Sequence, residues 1–77
     1  MRLDKYLKVS RIIKRRTLAK EQIEKGNVLL NGKVAKASSE VGVNDLITLS
    51  KINKSYKVLL ILPNATEEKA KSMYEEI

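Results

Sequence analysis

The sequence predicts an α+β fold in which two N-terminal helices pack on a small, mostly antiparallel sheet, with a short C-terminal helix. This prediction depends on a change of pattern along the 77 residues. Apolar residues recur with a helical period up to about residue 25, whereas later segments alternate or form short apolar runs bounded by turn residues, as strands do. A chain of this length is expected to form one domain with a small core.

The first two predicted helices are amphipathic and carry basic side chains on their outer faces. In residues 3–11, the apolar and small side chains fall on one arc of a helical wheel, and the basic side chains fall on the rest. The inward arc consists of Leu3, Tyr6, Leu7 and Ser10. Thr17 is a suitable N-cap for a second helix that continues to about Lys25, and Gly26 is expected to end it. The apolar side of the second helix consists of Leu18, Ala19, Gln22 and Ile23.

The middle of the chain has the pattern of short strands joined by tight turns. Asn31 and Gly32 separate two short runs, and an Asn-Gly pair tolerates the positive φ angles of a type I′ turn. We therefore predict a hairpin with strands at 28–30 and 33–35. The remaining predicted elements are, in order, a turn at 42–45, a strand at 46–50, a turn at 53–54 and a strand at 56–62.

The segment after Pro63 is predicted to form a helix that docks on the rest of the domain. Asn64 or Thr66 is a suitable N-cap, and the acidic pair Glu67 and Glu68 favours a helix N-terminus. An apolar stripe at helical spacing follows, formed by Ala70, Met73, Tyr74 and Ile77. We assign residues 1–62 to the main part of the domain and residues 63–77 to the docked helix.

The composition offers few residues for catalysis or metal binding. Cysteine and histidine are both absent, which excludes disulfides, thiolate nucleophiles, imidazole bases and the usual zinc ligands. The acidic residues are scattered singly, and no glycine-rich phosphate loop occurs. We therefore expect a protein that is not an enzyme and has no catalytic residues, metal site or cofactor. The N-terminus has no apolar stretch suited to a signal peptide or membrane span, so we expect a cytoplasmic protein without a membrane partner.

The positive charge is concentrated in one half of the chain. Residues 1–36 contain 11 basic and 3 acidic side chains, and residues 37–77 contain 5 basic and 6 acidic ones. A surface that only maintains solubility would mix the two signs throughout the chain. A concentrated positive field instead favours a polyanionic partner, and nucleic acid is the common one. The three tyrosines, without Phe or Trp, do not indicate a stacking platform for single-stranded bases.

Two adjacent arginines are the strongest candidates for anion binding. Arg15 and Arg16 precede the predicted second helix, whose free amide groups and positive dipole end favour a phosphate. A guanidinium group also matches the geometry of phosphate oxygens. The alternative is that one of the two arginines pairs with an acid such as Asp4 or Glu21. Asp4 lies in the first turn of a basic helix, so a structural role in fixing an arginine is expected for it.

These residues resemble the S4 domain family, also called the alpha-L RNA-binding family. The resemblance covers roughly residues 1 to 50, and it is specific because several anchored segments occur in the same order. The matching segments are RLDKYL at 2–7, RRTLAK at 15–20 and LNGKV at 30–34. The resemblance implies the alpha-L fold, in which the helical pair and the neighbouring turn bind folded RNA through shape and phosphate contacts. Residues 1–62 are then expected to form the S4-type RNA-binding domain.

The resemblance also implies a set of RNA-contacting residues. Carried over to this sequence, the set consists of Arg2, Lys5, Arg11, Lys14, Arg15, Arg16, Thr17, Lys20 and Lys33. The near-neutral C-terminal helix, with Lys69 and Lys71, is expected to face away from the RNA.

Among family members, the chain is similar to the stand-alone bacterial proteins that act in ribosome-associated quality control, and more distantly to a small heat-shock member. This similarity implies a monomer that binds stalled large ribosomal subunits, with large-subunit rRNA and peptidyl-tRNA as its RNA partners. A tailing factor that extends the stalled chain with alanine is the implied protein partner. Three alternatives remain open: an rRNA-binding assembly or translation factor, a targeting subunit for an RNA-modifying enzyme, and a DNA-binding helix-turn-helix protein.

Overall fold

The computed structural model describes residues 1–77, which form three helices and five strands. The helices are α1 (Leu3–Val9), α2 (Arg16–Glu24) and α3 (Glu67–Ala70). The strands are β1 (Val28–Leu30), β2 (Lys33–Val34), β3 (Leu46–Leu49), β4 (Lys54–Val58) and β5 (Tyr74–Glu76). All neighbouring strands are antiparallel, and their order in the sheet is β2-β1-β3-β4-β5. The predicted α+β architecture is thus confirmed. None of the helices has the length and apolar character needed to cross a bilayer.

The core lies between the helical pair and the sheet. The four residues of the predicted inward arc of α1 are all buried, as the helical period requires. Helix α2 contributes Ala19 and Ile23, and the sheet contributes residues such as Val28, Ile47 and Val58. The prediction for α2 is correct only in part, because Leu18 is 45% exposed.

The β1–β2 hairpin has the predicted turn. Asn31 and Gly32 both have positive φ angles, 52° and 83°, and Leu30 pairs with Lys33 across the turn. The Asn31 side chain also accepts a hydrogen bond from the Leu46 amide at 2.9 Å and donates one to Asp45 at 3.1 Å. Asn31 therefore sets the backbone of the turn and also fixes the start of β3 beside it.

The predicted boundaries of α2 and β4 are wrong. The N-cap of α2 is Arg15 rather than Thr17, which lies inside the helix, and no side chain caps this end. Strand β4 ends at Val58 instead of continuing to Leu62. The apolar run after Val58 leaves the sheet, because the Leu59 and Leu60 amides both donate hydrogen bonds to the Met73 carbonyl.

The predicted C-terminal helix is also wrong in extent. Helix α3 begins after Thr66, whose hydroxyl accepts a hydrogen bond from the Lys69 amide at 3.2 Å, and it ends at Ala70. Residues 74–76 then form β5, which pairs with β4 and extends the sheet. Pairing with β4 supplies hydrogen bonds to a strand edge that would otherwise remain open.

A buried tyrosine connects α1 to the C-terminal segment. The Tyr6 hydroxyl donates a hydrogen bond of 2.8 Å to the Met73 carbonyl, and both residues are fully buried. Burial raises the pKa of Tyr6 well above its ordinary value, with a smaller contribution from Tyr74. The predicted packing role of Tyr6 is therefore confirmed, and its hydroxyl fixes the position of the C-terminal segment against α1.

Candidate RNA-binding surface

A buried carboxylate organises two arginines at the start of α1. Asp4 is buried, and its carboxylate accepts a 2.8 Å hydrogen bond from the Lys5 amide. Arg16 contacts the same carboxylate through Nε at 3.3 Å and through Nη2 at 3.5 Å. Arg2, the N-cap residue of α1, also contacts it, with Nε 3.4 Å from Oδ1. The expected structural role of Asp4 is confirmed, and the arginine that it fixes most closely is Arg16.

The ion pairs leave much of each guanidinium available to a ligand. The side chains of Arg2 and Arg16 are 50% and 47% exposed, whereas the Asp4 side chain is only 4% exposed. A guanidinium has five N–H donors, and Arg16 directs two nitrogens to the carboxylate. Its remaining donors, including both on Nη1, can bind phosphate oxygens. Asp4 thereby orients the arginines without using their full binding capacity.

The N-terminus of α2 adds a second group of anion-binding features. Arg15 is exposed at the N-cap, and no side chain accepts from the first amides of this nine-residue helix. Lys20 lies one turn after Arg16, so the two side chains share a face of α2. Glu21 pairs with Lys25 at 2.9 Å and not with either arginine. The positive end of the helix therefore faces solvent together with exposed cations.

The turn between α1 and α2 has an unusual backbone at a basic residue. Arg11 follows the C-cap Ser10 and has a φ angle of 63°, a conformation that glycine usually supplies at this position. Buried Ser10 stabilises the turn, since its hydroxyl donates to the Leu7 carbonyl at 3.3 Å and accepts from the Ile12 amide at 3.5 Å. This backbone places Arg11 and Lys14 together in the lining of a cleft that is open to solvent.

The structure brings most of the predicted contact residues onto the helical pair and its connecting turn. Of this group, Lys5 is half-buried on α1, and Thr17 is exposed in the first turn of α2. Lys33 is exposed on β2, the edge strand of the sheet, and forms no ion pair with the helical residues. Lys36, three residues after Lys33, lines a recess together with Arg2.

Two basic residues outside the predicted contact set lie next to it. Lys8 lines a small recess with Arg11 and Lys14. Lys71, which belongs to the near-neutral segment expected to face away from the RNA, lines the same cleft as those two residues. Lys8 is one of the basic side chains that the helical wheel places on the outer face of residues 3–11. No sequence signal places Lys71 there, because its position depends on how the C-terminal segment packs.

Comparison with known proteins identifies the family. The profile of the S4 domain family matches residues 1–47, which is more than half of the chain. A protein from Streptococcus pneumoniae named RQC P-site tRNA stabilizing factor is 52% identical, and the match covers 100% of this chain and 90% of that protein. A protein of the same name from Bacillus subtilis is 47% identical, with 96% and 88% covered. The chain therefore belongs to the S4 domain family, and within it to the group that carries this name, the RqcP proteins.

A solved structure has the same fold. Heat shock protein 15 of Vibrio cholerae, described as trimeric, superimposes with a TM-score of 0.91 at 34% sequence identity. The match covers 100% of this chain and 81% of that one. The resemblance predicted from the sequence is confirmed for both the S4 family and its quality-control group, and the predicted distant similarity to a small heat-shock member is confirmed as well.

Proposed function

We propose that this protein is an RNA-binding factor of ribosome-associated quality control that stabilises the P-site tRNA on large ribosomal subunits obstructed by peptidyl-tRNA. The name of the relatives at 52% and 47% identity supports this role. The observation that carries it in this chain is the arginine pair that Asp4 holds beside the uncapped N-terminus of α2. This surface suits RNA backbones, because guanidinium groups and helix amides both bind phosphate.

The basic surface binds folded RNA by position and charge. Its cations are spread over two helices and a turn, so they contact several phosphates at once, and such contacts fix register without reading bases. The proposed RNA contacts are Arg2, Lys5, Arg11, Lys14, Arg15, Arg16, Thr17 and Lys20, with Lys33 as a flanking residue. Large-subunit rRNA and the P-site tRNA are the two RNAs that this surface contacts.

The protein acts by binding and carries out no catalysis of its own. It works in the cytoplasm as a monomer on the stalled large subunit, where it holds the tRNA while a separate tailing factor adds alanine to the obstructed chain. Residues 1–62 form the S4-type domain, and residues 63–77 complete it. Rigid presentation of the basic side chains is sufficient for this role. A factor that binds the tRNA in the P site more tightly than the released tRNA stabilises the P-site state.

Co-sedimentation with stalled large subunits tests this proposal. Arg16→Ala should weaken binding by about 1–3 kcal/mol, because it removes charge-assisted hydrogen bonds to phosphate. Lys69→Ala is the control, since Lys69 is exposed on α3 and lines neither cleft with Arg11. Thermal unfolding of both variants separates a binding defect from misfolding. Full binding by Arg16→Ala, or equal binding to subunits with and without peptidyl-tRNA, would contradict the proposal.

A further inference from the structure

A cleft between the α1–α2 turn and the C-terminal segment concentrates positive charge from both ends of the chain. It has a volume of about 410 Å³ and is open to solvent. Its lining consists of Ser10, Arg11, Lys14, Glu67, Ala70, Lys71 and Tyr74. An adjoining recess shares Arg11 and Lys14 and adds Lys8. Four basic side chains and one acidic side chain therefore surround this part of the surface.

The charges in the cleft are not neutralised within the protein. The ion pairs of the molecule involve Asp4, Glu21, Glu40 and Glu76, and none includes a basic residue of the cleft. Glu67 also forms no ion pair, although it shares the lining. Cations that line one cleft without an ion-pair partner repel one another, and an anion in the cleft relieves that repulsion.

The backbone conformation at Arg11 favours glycine, so the use of its side chain, and not the geometry of the turn, explains why an arginine is present. The left-handed conformation at φ 63° is unfavourable for any residue with a Cβ atom, and glycine is the usual choice directly after a C-cap. An arginine here makes the turn less stable and gives a cation at the mouth of the cleft. Strained backbone of this kind is concentrated at functional sites.

We propose that this cleft binds a phosphate of the RNA backbone and that Lys71 is one of its ligands, so that the RNA-binding surface continues from the helical pair onto the C-terminal segment. This inference rests on the proposed function, since it assigns the same RNA a further contact. Arg11, Lys14 and Lys71 bind the phosphate directly, and Lys8 adds to the potential at its edge. Helix α3 and strand β5 then have a binding role besides completing the sheet.

The test compares Lys71→Ala with Lys69→Ala in binding to large subunits that carry peptidyl-tRNA. The two variants change the same residue type on the same short segment, but only Lys71 lines the cleft. Lys71→Ala should weaken binding roughly two- to fivefold, the range for an exposed ion pair, and should reduce the slope of log affinity against log salt by about 1. Lys69→Ala should change neither quantity. Equal effects of the two variants would overturn the proposal.

Arg11→Gly provides a second variant, in which a loss of RNA affinity cannot be attributed to a loss of stability. Glycine accepts the left-handed backbone, so the melting temperature should stay the same or rise, while RNA affinity falls. Unchanged affinity in this variant would also overturn the proposal. Binding by Arg16→Ala is measured in parallel. If Arg16→Ala is the only variant that retains full binding, the proposed function is refuted. If Arg16→Ala loses binding and Lys71→Ala retains full binding, only the proposal for the cleft is refuted.

Competition by inorganic phosphate identifies the source of the anion. If RNA is the ligand, phosphate should weaken subunit binding no more than chloride at equal ionic strength, because the cleft holds its phosphate only as part of a larger contact. The opposite result is that phosphate competes specifically, that this competition disappears in Lys71→Ala, and that this variant still binds RNA fully. The cleft would then be a site for a small anion, contrary to the proposal.

Discussion

Replacement of Asp4 by asparagine separates two physical accounts of the basic surface. The substitution removes the charge that orients Arg2 and Arg16 but preserves the shape of the side chain. If only total charge mattered, the change from +7 to +8 would increase RNA affinity and steepen its salt dependence by about one unit. If orientation matters more, affinity should fall although the protein has become more basic.

The expected cost in stability follows from the contacts of the carboxylate. Both arginines are about half exposed, so each ion pair is worth no more than about 1 kcal/mol. The Lys5 amide, which donates to the buried carboxylate at 2.8 Å, also loses a charged acceptor. We expect Asp4→Asn to lower the free energy of unfolding by about 1–2 kcal/mol, which lowers the melting temperature by about 5–15 °C in a domain of this size.

The expected effect on binding follows from the mobility of the released arginines. Ordering one long side chain at an interface costs about 0.5–1.5 kcal/mol, and two arginines would bear that cost on binding RNA. After partial compensation by the added charge, we expect an affinity loss of roughly three- to tenfold. Glu75→Gln makes the same charge change at an exposed residue of β5 and should not weaken binding. Affinity would be measured by fluorescence anisotropy with structured rRNA below the melting transition, and a rise in affinity for Asp4→Asn would refute the orientation argument.

Three further outcomes are expected. Log affinity for structured RNA should fall with log salt at a slope of roughly −3 to −5, as four to six neutralised phosphates require, and a flat titration would refute the electrostatic account. Gly32→Val should lower the free energy of unfolding by about 1–2 kcal/mol, measured in thermal melts, because φ at this position is 83°. No atom lies within 4 Å of an added Cβ, so backbone strain is the only source of this loss, and Gly32→Asn should lose less. Tyr6→Phe should cost about 1–2 kcal/mol at pH 7 through the lost Met73 hydrogen bond.

Tyr6→Phe should also alter unfolding in alkali. Since the pKa of Tyr6 is raised in the folded protein above its ordinary value of 10.0, the folded state retains the hydroxyl proton more strongly than the unfolded state does. The resulting stabilisation is fully present below about pH 10 and is lost as the pH rises above it. Urea titrations between pH 8 and pH 11 should therefore show a shallower decline in Tyr6→Phe, and an unchanged decline would contradict this assignment.

The N-terminal half could be predicted because its signals are local. The helical period identified the buried face of α1, and the Asn31-Gly32 pair identified a turn whose positive φ angles the structure contains. The pairing of an arginine with Asp4 could be proposed as one of two alternatives. Sequence alone favoured Asp4 for this role but could not tell whether Arg15 or Arg16 pairs with it, because that depends on how α1 packs against α2.

The C-terminal segment could not be predicted in the same way. Its apolar residues occur at helical spacing, but Tyr74 and its neighbours pair with β4 instead, because the edge of that strand offers hydrogen bonds. A period read from one segment contains no information about a partner elsewhere in the chain. The same limit applies to Lys71, which was expected to face away from the RNA because its segment is near neutral. That Lys71 lines the same cleft as Arg11 follows from the packing of α3.

The most direct test of the central claim is to map the RNA bound by this protein in cells by ultraviolet crosslinking and sequencing. The account predicts crosslinks to large-subunit rRNA and to tRNA, enriched on subunits that carry peptidyl-tRNA and reduced by Arg16→Ala. Crosslinked peptides should contain residues of α1, α2 and the turn between them. Crosslinks confined to immature ribosomal particles, to substrates of an RNA-modifying enzyme or to DNA would contradict it.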